Sequence, residues 1–195
     1  MNVPKGRSAR VDVVQDGSLT STAGAVRSTC TLVRDGTHVI VVDPGMAPGA
    51  AAILAPLARL GVRPEDVTEV VLSHHHPDHT MYAGLFPNAA VHDHWAIYRG
   101  DQWEDSECDG RVLSPSVQLA RTPGHTAEDL ALIAGTADGV IVTSHSWFHA
   151  DSTVEDEDPE DPEALRASRR EILDVADRII PGHGPAFTPS ESTPR

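Results

Sequence analysis

Ser73-His74-His75-His76-Pro77-Asp78-His79 gathers three histidines, an aspartate and a fourth histidine into seven residues, with His74, His76, Asp78 and His79 spelling His-x-His-x-Asp-His. Imidazole nitrogen and carboxylate oxygen are the donors that borderline divalent metals take. Four of them within six residues have no place in an apolar core. Along an extended segment side chains two apart point the same way, so His74 and His76 are expected together, with Asp78 and His79 turned away and free to serve a second ion. His75 should point elsewhere and take no part. The preceding stretch, Thr68 to Leu72, is apolar and β-branched and reads as a buried strand, which places the cluster at a strand's C-terminal end.

Upstream of the cluster, Val11 to Val14, Val26 to Val33 and His38 to Val42 read as strands, with Asp35-Gly36 as a tight hairpin turn. Asp43-Pro44-Gly45 then leads into an Ala/Leu-rich helix over Gly49 to Leu60, in which Pro56 is expected to kink or stop it. Downstream, Ala89 to His94 and Val117 to Arg121 read as strands, and Leu130 to Ala134 pairs with Val140 to Thr143 across Gly135 to Gly139. Pro162 to Ala176 carries Leu165, Ile172, Leu173 and Ala176 on one helical face, and Arg178 to Ile180 is a last short strand. Strands in two batches, each followed by a helix and a histidine-bearing loop, predict two sheets with helices outside. Two of those loops repeat one setting: His125 in Thr122-Pro123-Gly124-His125-Thr126, and His183 in Pro181-Gly182-His183-Gly184. Glycine beside each histidine lets backbone come close to an ion.

The 195 residues carry 15 Lys and Arg against 29 Asp and Glu, a formal charge of −14 that repels phosphate backbones and disfavours nucleic acid as a partner. This length fits one domain with a real core, expected over residues 11–187, with 1–10 and 188–195 as flexible ends. No apolar stretch approaches the roughly 20 residues needed to span a bilayer, so no membrane partner is expected. Cys30 and Cys108 are too few for a disulfide framework and suit a cytoplasmic protein. A homodimer is expected only on the general frequency of symmetric dimers.

Other residues read more blandly. Eight acids between Asp151 and Glu163 suggest a solvated mobile loop capping the next helix, with a lid or extra cation site as the other reading. His92 and His94 are expected at the surface or a pocket rim, His149 in an exposed loop, and Trp95, Tyr98 and Trp103 in a pocket floor or partly in the core. Acidic neighbours Glu107 and Asp109 should raise the Cys108 thiol.

With these residues in place, the chain resembles metallo-β-lactamase-fold hydrolases, and within them the small glyoxalase-II-like group. The likeness is carried by His74/His76/Asp78/His79, the Asp43-Pro44-Gly45 turn, His125 and His183, and by the ending Pro181-Gly182-His183-Gly184-Pro185-Ala186-Phe187. It implies an α+β four-layer αβ/βα sandwich of two mixed sheets with helices outside and metals at one edge. It further implies a first zinc held by His74, His76 and His125 and a second by Asp78, His79 and His183. Asp78 would orient a water or hydroxide nucleophile between them, and Asp43 would tie down the metal loop. In the glyoxalase-like and lactonase-like branches an Asp ending the strand after the His125 match bridges both metals, and here that position is His145. Three readings of His145 stay open: a terminal ligand to one ion, a hydrogen bonder or proton shuttle behind the ligands, or a misaligned strand whose true acid is Asp151. The resemblance thus implies one or two zinc ions, with iron or manganese as alternatives. The expected activity is hydrolysis of a small-molecule ester, thioester, lactone or amide. A nuclease or phosphodiesterase, and a mononuclear iron persulfide dioxygenase, are the alternatives the same fold offers.

Overall fold

The computed structural model describes residues 1–20 and 24–195. The chain begins with β1 (Arg10–Gln15), a short hairpin of β2 (Ser18–Leu19) and β3 (Val26–Arg27), then β4 (Cys30–Asp35), β5 (His38–Val42) and helix α1 (Ala51–Arg59). β6 (Glu69–Val71), the one-turn helix α2 (Pro77–Thr80), β7 (Ala90–His92), β8 (Ala96–Arg99) and β9 (Gln102–Asp105) complete the first half. The second half holds β10 (Val112–Ser114), β11 (Val117–Arg121), β12 (Leu130–Thr136), β13 (Gly139–Thr143), α3 (Pro162–Leu173) and β14 (Arg178–Ile180).

Two sheets result. The first runs β1-β4-β5-β6-β7-β8-β9 and the second β10-β11-β12-β13-β14. Both are mixed: β5, β6 and β7 pair in parallel, as do β13 and β14, and the remaining pairs are antiparallel. Period-two alternation explains how the sheets stack. Val33, Ile40, Val42 and Val71 of the first sheet meet Val117, Leu119, Leu130, Leu132 and Ala134 of the second in one buried cluster between them. The alternate residues face outward: Leu32, Val41 and Val70 pack under Ile53 and Leu57 of α1, and Ala131, Ile133 and Val142 pack with Ile172 of α3. Helix, sheet, sheet, helix is the four-layer α+β sandwich expected.

Local expectations meet a mixed outcome. The first hairpin closes on the Asp35–His38 pair with Gly36 at φ 61°, where glycine carries no Cβ penalty. The helix does not stop at Pro56 but continues to Arg59, and the Pro56 carbonyl accepts the Leu60 N–H at 3.1 Å. Val26 to Val33 breaks into β3 and β4, and the β8-β9 meander was not expected at all. Trp95 and Trp103 on that meander are 50% and 63% exposed, so neither belongs to the core. His92 is buried, because β7 is flanked on both sides by β6 and β8. Cys108 rises to about 11, chiefly through burial rather than its acidic neighbours. Both chain ends make contacts: the Met1 amino group lies 3.3 Å from Glu171, Gly6 N–H donates to Pro115, and Trp147 Nε1–H donates to Pro194 O at 2.9 Å. Among the described residues no helix is long and apolar enough to cross a membrane.

Candidate metal centre

Parallel pairing delivers the site. β5 and β6 run side by side and end together, so Asp43 and the Ser73-His74 loop emerge at one edge of the first sheet. β13 and β14 do the same for His145 and His183 in the second, and Ser144 N–H to Ile180 O at 3.1 Å extends that pairing. Leu130 N–H to Ser73 O, 2.9 Å, and Thr29 N–H to Gly182 O, 2.7 Å, tie the two edges together. His125 follows β11 on the same edge.

Each expected triad is gathered. His74, His76 and His125 each offer one donor atom within 4.8 Å of the others, and so do Asp78, His79 and His183. His145 lies between the two triads. Its ring centre is 4.4–5.1 Å from those of His74, His79, His125 and His183, and with His74 and His79 it forms a further close group. Asp151 is exposed and belongs to none of these groups, so the misaligned-strand reading falls. His75 is turned out as expected: it lies 3.1 Å from Asp93 and 3.0 Å from Glu128 and stacks on Trp95.

Backbone and carboxylate acceptors set which nitrogen faces inward. His79 Nδ1–H donates to Asp43 Oδ2 at 2.8 Å, His125 Nδ1–H to the Glu157 carbonyl at 3.1 Å, and His183 Nδ1–H to the Arg27 carbonyl at 2.9 Å. A neutral imidazole with its proton on Nδ1 presents a lone pair at Nε2. These lone pairs converge. His125 Nε2 and His74 Nε2 lie 3.2 and 2.9 Å from the same His76 Nδ1, and His183 Nε2 lies 3.1 Å from His145 Nε2. His79 Nε2 and His145 Nδ1 are buried without any hydrogen-bond partner. Burial, reinforced by neighbouring imidazoles, holds His74, His125 and His145 below the ordinary histidine range and His183 down to about 4, so the rings stay unprotonated near neutral pH. A dense set of converging nitrogen donors, two of them buried without partners, fits divalent cations, which supply the charge these atoms face.

Asp43 occupies the place expected for it. Its Oδ1 accepts Ser73 N–H at 2.7 Å while Oδ2 holds His79, and its backbone sits at φ 49°, a left-handed conformation uncommon outside glycine. Gly45 is required here, because a Cβ on it would lie 1.5 Å from the Asp78 carbonyl oxygen. Gly182 is likewise required, since a Cβ would meet the His145 ring at 2.4 Å.

Three contributors were not anticipated. Phe148 packs its ring 5.2–5.6 Å from His125, His145 and His183 and walls the cluster. Glu157, read as part of a solvated loop, is 0% exposed. Its Oε1 accepts Phe148 N–H at 2.5 Å and pairs with Arg169 Nη2 at 3.3 Å. Burial pushes the Glu157 carboxyl up to about 7 against the opposing pull of Phe148 N–H, the Arg169 charge and the nearby Ser152 hydroxyl. Arg169, also 0% exposed, sits on the inner face of α3 with Leu165 and Ile172. That spacing was the available signal: a charge on the apolar stripe of a helix demands a buried partner. The rest of the acidic run behaves as expected, with Asp161 capping α3 through Glu163 N–H and Ala164 N–H.

Comparison with known proteins agrees with this geometry. The sequence model of the Metallo-beta-lactamase superfamily matches residues 23–183. The human Metallo-beta-lactamase domain-containing protein 1 is 40% identical over 160 residues, which cover 76% of this chain and 59% of that protein. An N-acyl homoserine lactonase of Bacillus cereus is 30% identical over 123 residues, 55% of this chain and 49% of the lactonase. In three dimensions the chain is similar to an N-acyl homoserine lactone hydrolase solved with N-hexanoyl-L-homoserine at its catalytic metal centre, with TM-score 0.65, 20% identity and 94% of each chain covered. The chain spans about 60% of the length of the human relative. Fold, edge and sequence match coincide, and the chain belongs to the metallo-beta-lactamase superfamily.

Proposed function

We propose that this chain is a metal-dependent hydrolase acting on a small ester, thioester, lactone or amide. The observation that carries the reading is the convergence of imidazole nitrogens, two buried ones without hydrogen-bond partners, at the edge shared by both sheets. His74, His76 and His125 would hold one divalent ion and Asp78, His79 and His183 a second, zinc being the metal that suits nitrogen and carboxylate donors. When bound, such ions polarise a carbonyl and make water a nucleophile near neutral pH. The chain's own residues do the rest. Asp78, whose Oδ2 lies 3.4 Å from His79 Nε2 and 3.6 Å from His183 Nε2, would orient the attacking water. Phe148 shields the cluster from bulk solvent on one side. His76 opens onto a cavity of about 340 Å³ lined also by His94, Trp95, Thr126 and Glu128, where a small substrate fits and Trp95 offers an aromatic wall.

Two named relatives support the lactone and acyl-glutathione part of this range: an N-acyl homoserine lactonase of Bacillus cereus and a hydroxyacylglutathione hydrolase of Aeromonas hydrophila. A polyanionic substrate is disfavoured by the −14 charge. Steady-state assays of one lactone, one ester, one thioester and one amide, each with metal-stripped and zinc-loaded protein, test the reading. Turnover of at least one in the loaded form only is expected. Equal rates with stripped protein and with a protein-free zinc blank, for all four, would overturn it.

A further inference from the structure

Glu157 and His145 each keep one buried polar atom in reserve. His145 Nε2 is engaged by His183 Nε2 at 3.1 Å, while Nδ1 has no partner. Glu157 Oε1 is engaged by Phe148 N–H and Arg169, while Oε2 has no partner. The two residues are close: a ring nitrogen of His145, a carboxylate oxygen of Glu157 and a ring nitrogen of His125 all lie within 4.8 Å of one another. A buried polar atom left unpaired is destabilising. One is a ring nitrogen able to carry a proton and the other is an acceptor, so pairing them relieves both.

We propose that Glu157 is the positioning carboxylate for His145: in the metal-loaded protein His145 Nδ1–H donates to Glu157 Oε2, which fixes the tautomer and presents Nε2 to the ion pair. Of the readings left for His145, this makes it a terminal ligand. Glu157 then serves two ligands at once, His145 through its side chain and His125 through its carbonyl. Phe148 N–H and Arg169 hold the other oxygen, so the carboxylate cannot swing away. A carboxylate has thereby entered the centre from the segment before α3, one residue behind a histidine, where the strand end carries none.

The inference rests on the metal reading of the cluster, and its test separates the two. Zinc affinity is measured by competition with a chromophoric chelator for wild type, Glu157→Gln and Ile172→Ala, and the visible spectrum of each is recorded after loading with cobalt(II). Ile172→Ala loosens α3, the helix that carries the Glu157 partner Arg169, without touching the pair, and controls for lost stability. Glu157→Gln should bind one zinc equivalent about 10–100-fold more weakly and shift the cobalt bands, while Ile172→Ala should match wild type in both. Unchanged affinity and spectrum in Glu157→Gln, or equal changes in both variants, would overturn the inference alone. Wild type that takes up no metal would overturn the metal reading and the inference with it. Where Glu157→Gln does not fold, a crystal structure of zinc-loaded wild type decides: Nδ1 and Oε2 should lie within about 3.2 Å, and a separation beyond hydrogen-bond reach refutes the pairing.

Discussion

Two histidine and carboxylate clusters lie a few residues apart in this protein, and they differ in how their polar atoms are spent. Around Asp93 the carboxylate itself is fully engaged within the chain. Its oxygens accept from His75 at 3.1 Å, the Tyr98 hydroxyl at 2.6 Å, Trp95 N–H at 2.8 Å and Ala96 N–H at 2.9 Å, and the second nitrogen of His75 is taken by Glu128. Around His145 the nitrogens face one another, and buried ones are left over. His74, His75 and His76 are consecutive, yet the middle ring joins the first cluster and its neighbours the second. Histidine density alone therefore does not mark a metal centre. What marks it is several donors converging within reach of one another, two of them buried without partners; His92 also keeps both ring nitrogens unpartnered but belongs to no such group.

The contrast can be broken at its ends. His79→Ala removes a buried nitrogen from the converging donors and should cost more than about 100-fold in metal affinity, beyond what losing an outer partner costs, whereas His75→Ala should leave metal content unchanged. Elemental analysis of the two variants side by side checks this, and equal metal loss in both would erase the distinction. Asp43→Asn keeps an acceptor for Ser73 N–H but weakens the hold on His79. About 10–100-fold weaker metal binding is expected, read by the same chelator competition.

Asp93→Asn sharpens the other side. Burial alone would raise this carboxyl, but His75, the Tyr98 hydroxyl and two backbone N–H groups overcome it and bring it to about 2. A carboxyl depressed in the folded state contributes stability that is complete above its ordinary value of about 4. That contribution is lost as pH falls from about 4 through about 2. The variant should lose about 2 kcal/mol at pH 7 in urea unfolding, the scale for a buried charged hydrogen-bonded group, with a shallower loss of stability in acid and full metal content. The smallest effect belongs to the rim. Trp95→Ala should change stability by less than about 1 kcal/mol and raise KM more than it lowers kcat, measured on whichever substrate turns over.

The legible part of this fold is the part written in short-range patterns. His38 to Val42, Val117 to Arg121 and Arg178 to Ile180 alternate or run apolar between turn residues and are strands at those limits. The four histidine-bearing loops follow strands, and their convergence was implied by the family resemblance. The β8-β9 meander was hidden because its exposed Trp95 and Trp103 mimic core residues in composition. Glu157 was hidden more deeply. Seven other acids surround it between Asp151 and Glu163, and only the fold turns this one inward, against an arginine that sits on the wrong face of its helix for a solvated charge. Long-range pairing of that kind leaves no local signal except the misplaced arginine.

The central claim is that the His145 cluster is built for metal and the Asp93 cluster is not. Elemental analysis of untagged protein purified without added metal tests it most directly, with a parallel sample incubated with zinc and desalted. Two divalent ions per chain, one for each triad and both lost in His79→Ala with His125→Ala but kept in His75→Ala, is the predicted result. Protein that is folded yet carries no stoichiometric metal, native or zinc-treated, would contradict it.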